Sequence, residues 1–270
     1  MAGSNYYHNK SALIIGGSEG IGLAIAVGLV ARGADVVIAS RSKDKLAEAL
    51  TALKRCCGEG QRVASVVMDV RDAMQVQQQI DRVVAEYGAP DLLINCAGVA
   101  YPGYIESLEG DRYREMMEIN YLGAVHTVKA VVPHMMRRRS GQILNVSSIA
   151  GFLGLFGYTG YCASKFAVIG FSEALCRELA PYGIKVSVLC PPNTRTPGLQ
   201  RENQYKPAEV LATEEKVKVL EPEEVAQAAL AALARGRFMI IPSFDGKLAY
   251  YLGRYLPGVL GLFLRRPTLK

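Results

Sequence analysis

The sequence is poor in the side chains that hold metals. It contains 3 histidines in 270 residues, and its 6 cysteines show neither the paired spacing of a zinc site nor a disulfide framework. We therefore expect no metal site. We interpret the cysteines as small apolar side chains in a reducing compartment.

Targeting segments, repeats and linkers are also lacking. Residues 1–10 are polar and contain no apolar segment of a secretory signal, which favours a cytoplasmic location. Without an internal repeat, a low-complexity stretch or a linker, residues 1–270 are expected to form a single domain. The net charge of +6 comes without basic residues alternating with stacking aromatics, so we predict no nucleic-acid partner. An anionic cofactor or a membrane surface is a better use of the positive charge.

Short apolar runs alternate with helical patterns along most of the chain. The runs at 11–15, 35–39, 62–68, 91–94, 142–146, 185–189 and 238–241 are typical of buried strands. This alternation predicts an α/β fold, a doubly wound parallel sheet of about seven strands with helices on both faces. Ligands of such a fold bind beyond the carboxyl ends of the strands.

A glycine-rich loop joins the first strand to the first helix. Residues 16–22 read Gly-Gly-Ser-Glu-Gly-Ile-Gly and lead into a helical pattern at 23–32. Glycines there allow backbone to approach a pyrophosphate at a helix N-terminus. The loop therefore predicts dinucleotide binding by Gly16, Ser18, Glu19, Gly20, Ile21 and Gly22.

The end of the second strand lacks the carboxylate that would bind the ribose of NAD. Ser40, Arg41 and Lys45 stand there instead. Because an arginine suits a 2′-phosphate, this pattern favours NADPH. We place the rest of the cofactor site after the third and fourth strands, at Asp69, Val70, Asn95, Ala97 and Gly98.

A tyrosine and a lysine lie one helical turn apart at Tyr161 and Lys165. An ammonium near a phenol favours the phenolate, so we expect a lowered pKa for Tyr161 and a role in proton transfer to a ketone. Ser148, just after the strand at 142–146, could hold the same carbonyl oxygen. The alternative is a surface helix on which the two side chains are merely neighbours.

These motifs together resemble the short-chain dehydrogenase/reductase family along nearly the whole chain. The resemblance is carried by the glycine loop, Asn-Cys-Ala-Gly at 95–98, Ile119-Asn120, Val-Ser-Ser at 146–148 and Tyr-Cys-Ala-Ser-Lys at 161–165. Ile15 and Cys96 depart from the usual threonine and asparagine.

The resemblance implies a Rossmann fold and a catalytic set. Tyr161 would be the general acid, and Lys165 would lower its pKa and hold the nicotinamide ribose. Ser148 would polarise the carbonyl, and Asn120 would hold a water. Pro191 and Thr194 would lie near the nicotinamide, and the family is usually dimeric or tetrameric.

Within that family, further stretches resemble the 3-ketodihydrosphingosine reductases. They are Asn-Tyr-Leu-Gly at 120–123, residues 154–167, residues 191–198, Glu-Asn at 202–203 and Lys-Pro at 206–207, although Asn193 and Arg195 replace common acidic residues. This resemblance implies NADPH-dependent reduction of a long-chain, lipid-like ketone, with 3-ketosphinganine the best single candidate. Reduction of a 3-oxoacyl thioester or a steroid-like ketone, or an NADP-binding sensor without activity, are the alternatives.

Two segments near the C-terminus have open interpretations. Residues 193–218 are polar and without obvious structure, which predicts either a substrate lid or an irregular surface loop. The apolar tail at 247–264 either packs on the core or another subunit, or covers a lipid pocket, or lies in a membrane interface.

Overall fold

A parallel sheet forms the centre of the computed structural model, which describes residues 6–214 and 217–258. Its strands within the described residues are β1 Ser11–Ile15, β2 Asp35–Ser40, β3 Val63–Val67, β4 Leu92–Asn95, β5 Gly141–Val146, β6 Ile184–Leu189 and β7 Met239–Ile240. They are hydrogen bonded in the order β3-β2-β1-β4-β5-β6-β7, all parallel. The predicted doubly wound sheet is confirmed.

Helices cover both faces of the sheet. They are α1 Gly20–Val30, α2 Lys43–Cys56, α3 Ala73–Tyr87, α4 Gly110–Met116, α5 Gly123–Arg138, α6 Thr159–Leu179, α7 Pro197–Glu202, α8 Ala208–Glu214, α9 Pro222–Ala234 and α10 Phe244–Tyr255. Successive strand residues point to opposite faces, so Ile14 packs with α1, α2 and α9, whereas Leu13 packs with α3, α5 and α6. Strands buried on both sides explain the unbroken apolar runs in the sequence.

The site lies where the direction of strand addition changes. From β1 the chain adds β2 and β3 on one side, and then β4 to β7 on the other. Gly16 leaves β1 with φ +78° and a Cβ there would lie 2.5 Å from the backbone nitrogen of Ala97. Only glycine lets the loops after β1 and β4 approach this closely. A crevice therefore opens beyond the carboxyl ends of these two strands, where doubly wound folds bind ligands.

The helical residues from α4 to α5 do not form one continuous α-helix. One turn of π-helix, Met117–Leu122, joins α4 to α5 and carries Asn120. Such turns insert an extra residue into a helix and are frequent at functional sites.

Residues 193–218 are more regular than the sequence suggested. The segment contains α7 and α8, and the prediction of an irregular stretch is wrong there. The Thr196 hydroxyl accepts a hydrogen bond from the backbone N–H of Leu199 at 3.1 Å, and Pro197 occupies the first turn. A cap of this kind stabilises even a short helix.

The apolar tail begins within α10. Tyr250 packs edge-on against Phe152, with ring centroids 5.2 Å apart, so one face of the helix lies on the core. Phe244, Leu248, Tyr251 and Tyr255 form an exposed apolar stripe at helical spacing on another face. The remainder of the predicted tail, 259–264, lies outside the described residues. Among the helices described, none is both long and apolar enough to cross a membrane.

Candidate active site

One elongated cavity of about 620 Å³ runs along the crevice at the switch point. Its lining includes most of the predicted cofactor residues: Gly16, Ser18, Glu19, Gly20, Ile21, Ser40, Arg41, Lys45, Val70, Ala97, Gly98, Pro191 and Thr194. Ser148, Tyr161 and Lys165 line the same cavity. The structure therefore brings the two groups of sequence motifs into one continuous space. The described part of the tail, 247–258, does not line this cavity.

The glycine loop presents the N-terminus of α1 to the cavity. The N-cap residue, Glu19, makes no side-chain hydrogen bond to the helix, so the first N–H groups of α1 have no side-chain cap. The Glu19 carboxylate instead accepts a hydrogen bond from the Lys45 ammonium at 2.7 Å and contacts the Arg201 guanidinium. These partners hold the pKa of Glu19 below its ordinary value, although burial opposes them. An anion at this helix end would meet free N–H groups and two nearby cations.

Three predicted cofactor residues lie outside the cavity lining. The Asp69 carboxylate pairs with the Arg71 guanidinium at 2.7 Å. Asn95 is buried and accepts a hydrogen bond from the Thr127 hydroxyl at 2.7 Å. Gly22 lies beneath the loop, where a Cβ would be 2.2 Å from the Gly16 carbonyl oxygen. The roles of these three residues in cofactor binding stay predictions.

Helix α6 places Tyr161 and Lys165 at the far end of the cavity. The Lys165 nitrogen lies 5.6 Å from the centre of the Tyr161 ring and donates a hydrogen bond to the Val146 carbonyl at 3.0 Å. Ser148 follows β5, and its hydroxyl oxygen accepts from the Ala150 N–H at 3.1 Å. The three side chains converge because β5 ends and α6 begins at this edge of the sheet.

The surroundings of Tyr161 contradict the predicted fall in its pKa. Burial raises the pKa of Tyr161, the charge of Glu202 raises it further, and a hydrogen bond with Ser148 opposes both. Burial also lowers the pKa of Lys165 to about 8. The Lys165 ammonium is directed at a backbone carbonyl, so its charge does not dominate at the phenol.

Asn120 does not line the large cavity. Its side-chain oxygen accepts from the Val99 N–H at 2.8 Å, and its amide donates to the Val99 carbonyl and the Ser164 hydroxyl, each at 2.9 Å. It borders a separate space of about 10 Å³, shared with Asn95 and Asn145, close to the minimum size for one water. The π-helical turn thus uses Asn120 to tie the loop after β4 to α6.

A buried polar cluster beside Tyr161 was missed in the sequence. The Tyr158 hydroxyl donates to Glu202 at 2.5 Å and lies 3.0 Å from Glu214, and the Lys206 ammonium lies 3.2 Å from Glu202 and 2.5 Å from Glu214. The side chain of Lys206 is fully buried. We call Tyr158, Glu202, Lys206 and Glu214 the lid cluster. The spacing of Glu202 and Lys206, one helical turn apart, was the available signal.

The donors along the cavity match the parts of a nicotinamide dinucleotide. The glycine loop and the uncapped N-terminus of α1 suit its pyrophosphate. Arg41 suits the adenosine ribose, and Lys165 lies where the nicotinamide ribose would be. A Cβ added to Gly98 would lie 3.3 Å from the Lys165 nitrogen. The backbone of Gly98 therefore lies close to the Lys165 ammonium at this end of the cavity. A dinucleotide fits the residues present.

Comparison with known proteins agrees with this geometry. Residues 10–207 match the family model for short chain dehydrogenase. The chain is 41% identical over 236 residues to the 3-ketodihydrosphingosine reductase of Bos taurus, covering 87% of this chain and 71% of the relative. It is 35% identical over 182 residues to the 3-oxoacyl-[acyl-carrier-protein] reductase of Haemophilus influenzae, covering 67% of this chain and 73% of the relative.

The same likeness extends to a solved structure. A short chain dehydrogenase/reductase from Burkholderia phymatum, in complex with NAD, superimposes with a TM-score of 0.82 at 26% identity, covering 98% of both chains. The family match, the relatives and the shared sheet with its glycine loop lead to one conclusion. The chain belongs to the short chain dehydrogenase family, whose enzymes are oxidoreductases that use a nicotinamide cofactor.

Proposed function

We propose that this protein reduces the ketone of a long-chain, lipid-like substrate with NADPH, and that 3-ketodihydrosphingosine is the best single candidate. The observation that carries the proposal is the convergence of Ser148, Tyr161 and Lys165 in a cavity continuous with the glycine loop. The similarity to a reductase of that name over 87% of the chain supports the choice of substrate.

The proposed chemistry divides between the residues and the cofactor. When bound, the reduced nicotinamide supplies the hydride that adds to the carbonyl carbon. Tyr161 donates its phenolic proton to the carbonyl oxygen, which Ser148 holds by a hydrogen bond. Lys165 binds the nicotinamide ribose and stabilises the phenolate that remains. Asn120, beside its water-sized space, completes the path by which Tyr161 regains a proton.

The preference for NADPH rests on the end of β2. Arg41 lines the cavity there, and Lys45 lies close by on α2. A guanidinium offers paired donors to a 2′-phosphate, whereas NAD would be recognised by a carboxylate at this position.

The substrate end of the cavity is apolar enough for an alkyl chain. Tyr101, Leu155, Leu199 and Tyr205 line it, and the Tyr101 and Tyr205 rings lie 6.0 Å apart, edge to face. Nearby, Ile105 is 67% exposed and Phe156 45% exposed, which extends the apolar surface outward. Each methylene buried on such a surface contributes about 0.8 kcal/mol.

Reduction of a 3-oxoacyl thioester is the second candidate. It is favoured by the similarity to the Haemophilus influenzae reductase, and the same Ser148, Tyr161 and Lys165 would serve it. Steady oxidation of NADPH by the full chain with long-chain amino ketones, 3-oxoacyl thioesters and steroid ketones separates the candidates. A kcat/KM highest for the thioester or the steroid would refute the proposal, as would faster turnover with NADH.

We also propose that the exposed apolar stripe of α10 contacts a membrane surface. Lys247 and Arg254 on the same helix would face anionic headgroups, in keeping with the net charge of +6. Sedimentation with anionic vesicles should carry the protein down, and Leu248→Ser with Tyr251→Ser should reduce this binding. If the double variant binds vesicles normally but changes from a dimer or tetramer to a smaller species, the stripe is a subunit interface.

A further inference from the structure

The lid cluster carries more negative than positive charge. Among its described members, the two carboxylates of Glu202 and Glu214 face the single ammonium of Lys206. Their side chains are 17% and 21% exposed, so water and ligands in the cavity reach them, whereas Lys206 is inaccessible. The cluster therefore presents the carboxylates, and not the ammonium, to the cavity.

This excess charge lies close to the proton donor. The Tyr158 and Tyr161 rings are 5.9 Å apart between centroids, and the Tyr158 hydroxyl is bonded to Glu202. Glu202 and Glu214 line the same cavity as Tyr161. The charge of Glu202 also raises the pKa of Tyr161, so the two groups lie within electrostatic reach.

Such an arrangement is costly without a cationic ligand. Burial raises the pKa of Glu202, and the charge of Glu214 raises it further, although Lys206 and the Tyr158 hydroxyl oppose both effects. If the cluster served only to hold α7 against α8, one carboxylate paired with the Lys206 ammonium would be enough. The second carboxylate, facing the catalytic cavity, is explained if the substrate brings a cation of its own.

We propose that Glu202 and Glu214 are specificity-determining residues that bind a protonated amino group on the carbon beside the substrate's ketone. This rests on the proposed ketone reduction and names the part of the substrate that the cavity recognises. An ammonium there would satisfy the excess carboxylate. It would also offset the effect of Glu202 on Tyr161, so that proton donation to the adjacent carbonyl becomes easier once the correct substrate is bound.

The test compares three ketones of one chain length with saturating NADPH and the full chain. They are a 2-amino-3-ketone, its N-acetyl derivative, which keeps an N–H but loses the charge, and the ketone without nitrogen. We expect wild-type kcat/KM to be about ten- to a hundredfold higher for the amino ketone, the range for a hydrogen bond to a charged group. Glu202→Gln should remove most of this preference, so that the ratio of kcat/KM for the amino ketone to kcat/KM for each of the other two ketones falls toward one.

Two further variants keep the result interpretable. Glu214→Gln should reduce the preference in the same direction, and it decides the matter if Glu202→Gln does not fold. Glu209→Gln is the matched control, because Glu209 lies on α8 but bonds to Tyr104 at 2.6 Å and does not line the cavity. It should keep the wild-type preference.

The outcomes separate this inference from the proposed function. If wild type reduces all three ketones equally, or if Glu202→Gln lowers kcat/KM for all three alike, the cluster only ties α7 to α8 and the inference is wrong. Long-chain ketone reduction would then still stand. If NADPH is oxidised with none of the three ketones, the proposed function fails, and the inference fails with it.

Discussion

Replacing Lys206 by methionine tests how the lid cluster is held together. The variant keeps most of the length of the side chain but leaves two carboxylates next to Tyr158 without their ammonium. Removing one partner of a buried ion pair costs about 3–5 kcal/mol, and the partial exposure of Glu202 and Glu214 lowers our expectation to about 2–3 kcal/mol. For a chain of this size, that corresponds to a fall in Tm of roughly 5–10 °C.

The loss should depend on pH in a defined direction. Burial already raises the pKa of Glu202, and the loss of Lys206 raises it further, while the Tyr158 hydroxyl and Glu214 remain as neighbours. The folded state then binds a proton more readily than the unfolded chain. The deficit in stability is therefore largest above the raised pKa and shrinks as the pH falls through it.

Thermal unfolding at neutral pH and at a mildly acidic pH measures both effects. Lys129→Met is the control, because Lys129 is an exposed residue of α5, and its Tm should stay near wild type. An unchanged Tm for Lys206→Met, or a loss of equal size at both pH values, would refute the argument from buried charge.

Three further predictions concern the cofactor and catalytic residues. Tyr161→Phe should abolish ketone reduction yet keep NADPH binding in a fluorescence titration, because only the proton donor is lost; near-normal turnover would contradict the assignment. Arg41→Asp should raise the Kd of NADPH at least tenfold more than that of NADH, and equal losses would show that Arg41 does not bind the 2′-phosphate. Gly22→Ala should lower both Tm and NADPH affinity, since its Cβ would lie 2.2 Å from a backbone oxygen. Gly170→Ala, with open space around it in α6, should stabilise by about 0.5–1 kcal/mol, and similar melting curves for the two glycine variants would argue against the packing explanation.

Much of the fold was readable because its signals are local. A strand buried on both faces must be apolar throughout, so Ser11–Ile15 and Gly141–Val146 were predicted within one residue of their observed bounds. The glycine loop and the Tyr161–Lys165 spacing were equally local, and the structure places both on one cavity. Their roles in binding and catalysis stay predictions.

The parts that sequence reasoning missed depend on contacts between distant segments. The lid cluster joins Tyr158 to Glu214 across 56 positions, and no periodicity reports such a pairing. The ion pair between Asp69 and Arg71 was likewise not predicted, and the role of Asp69 at the cofactor stays a prediction. The pKa of Tyr161 was misjudged for a related reason, since burial and the charge of Glu202 are tertiary effects.

The π-helical turn at Met117–Leu122 also sets the rotational phase of everything that follows it. Each residue of an α-helix is rotated by about 100° from the one before it. One extra residue therefore rotates the faces of α5 by about that angle relative to the faces of α4. Asn120 reaches Ser164 from the turn, and Thr127 reaches Asn95 from α5. Deleting Tyr121 would restore a continuous helix and rotate Thr127 away from Asn95, so we expect little folded protein from that deletion. Deletion of Glu59, in an exposed turn, should be tolerated. The number of residues between α4 and α5 is therefore fixed, and neither an insertion nor a deletion of one residue should be tolerated. A substitution at Asn120 would not show this, because it leaves the number of residues unchanged.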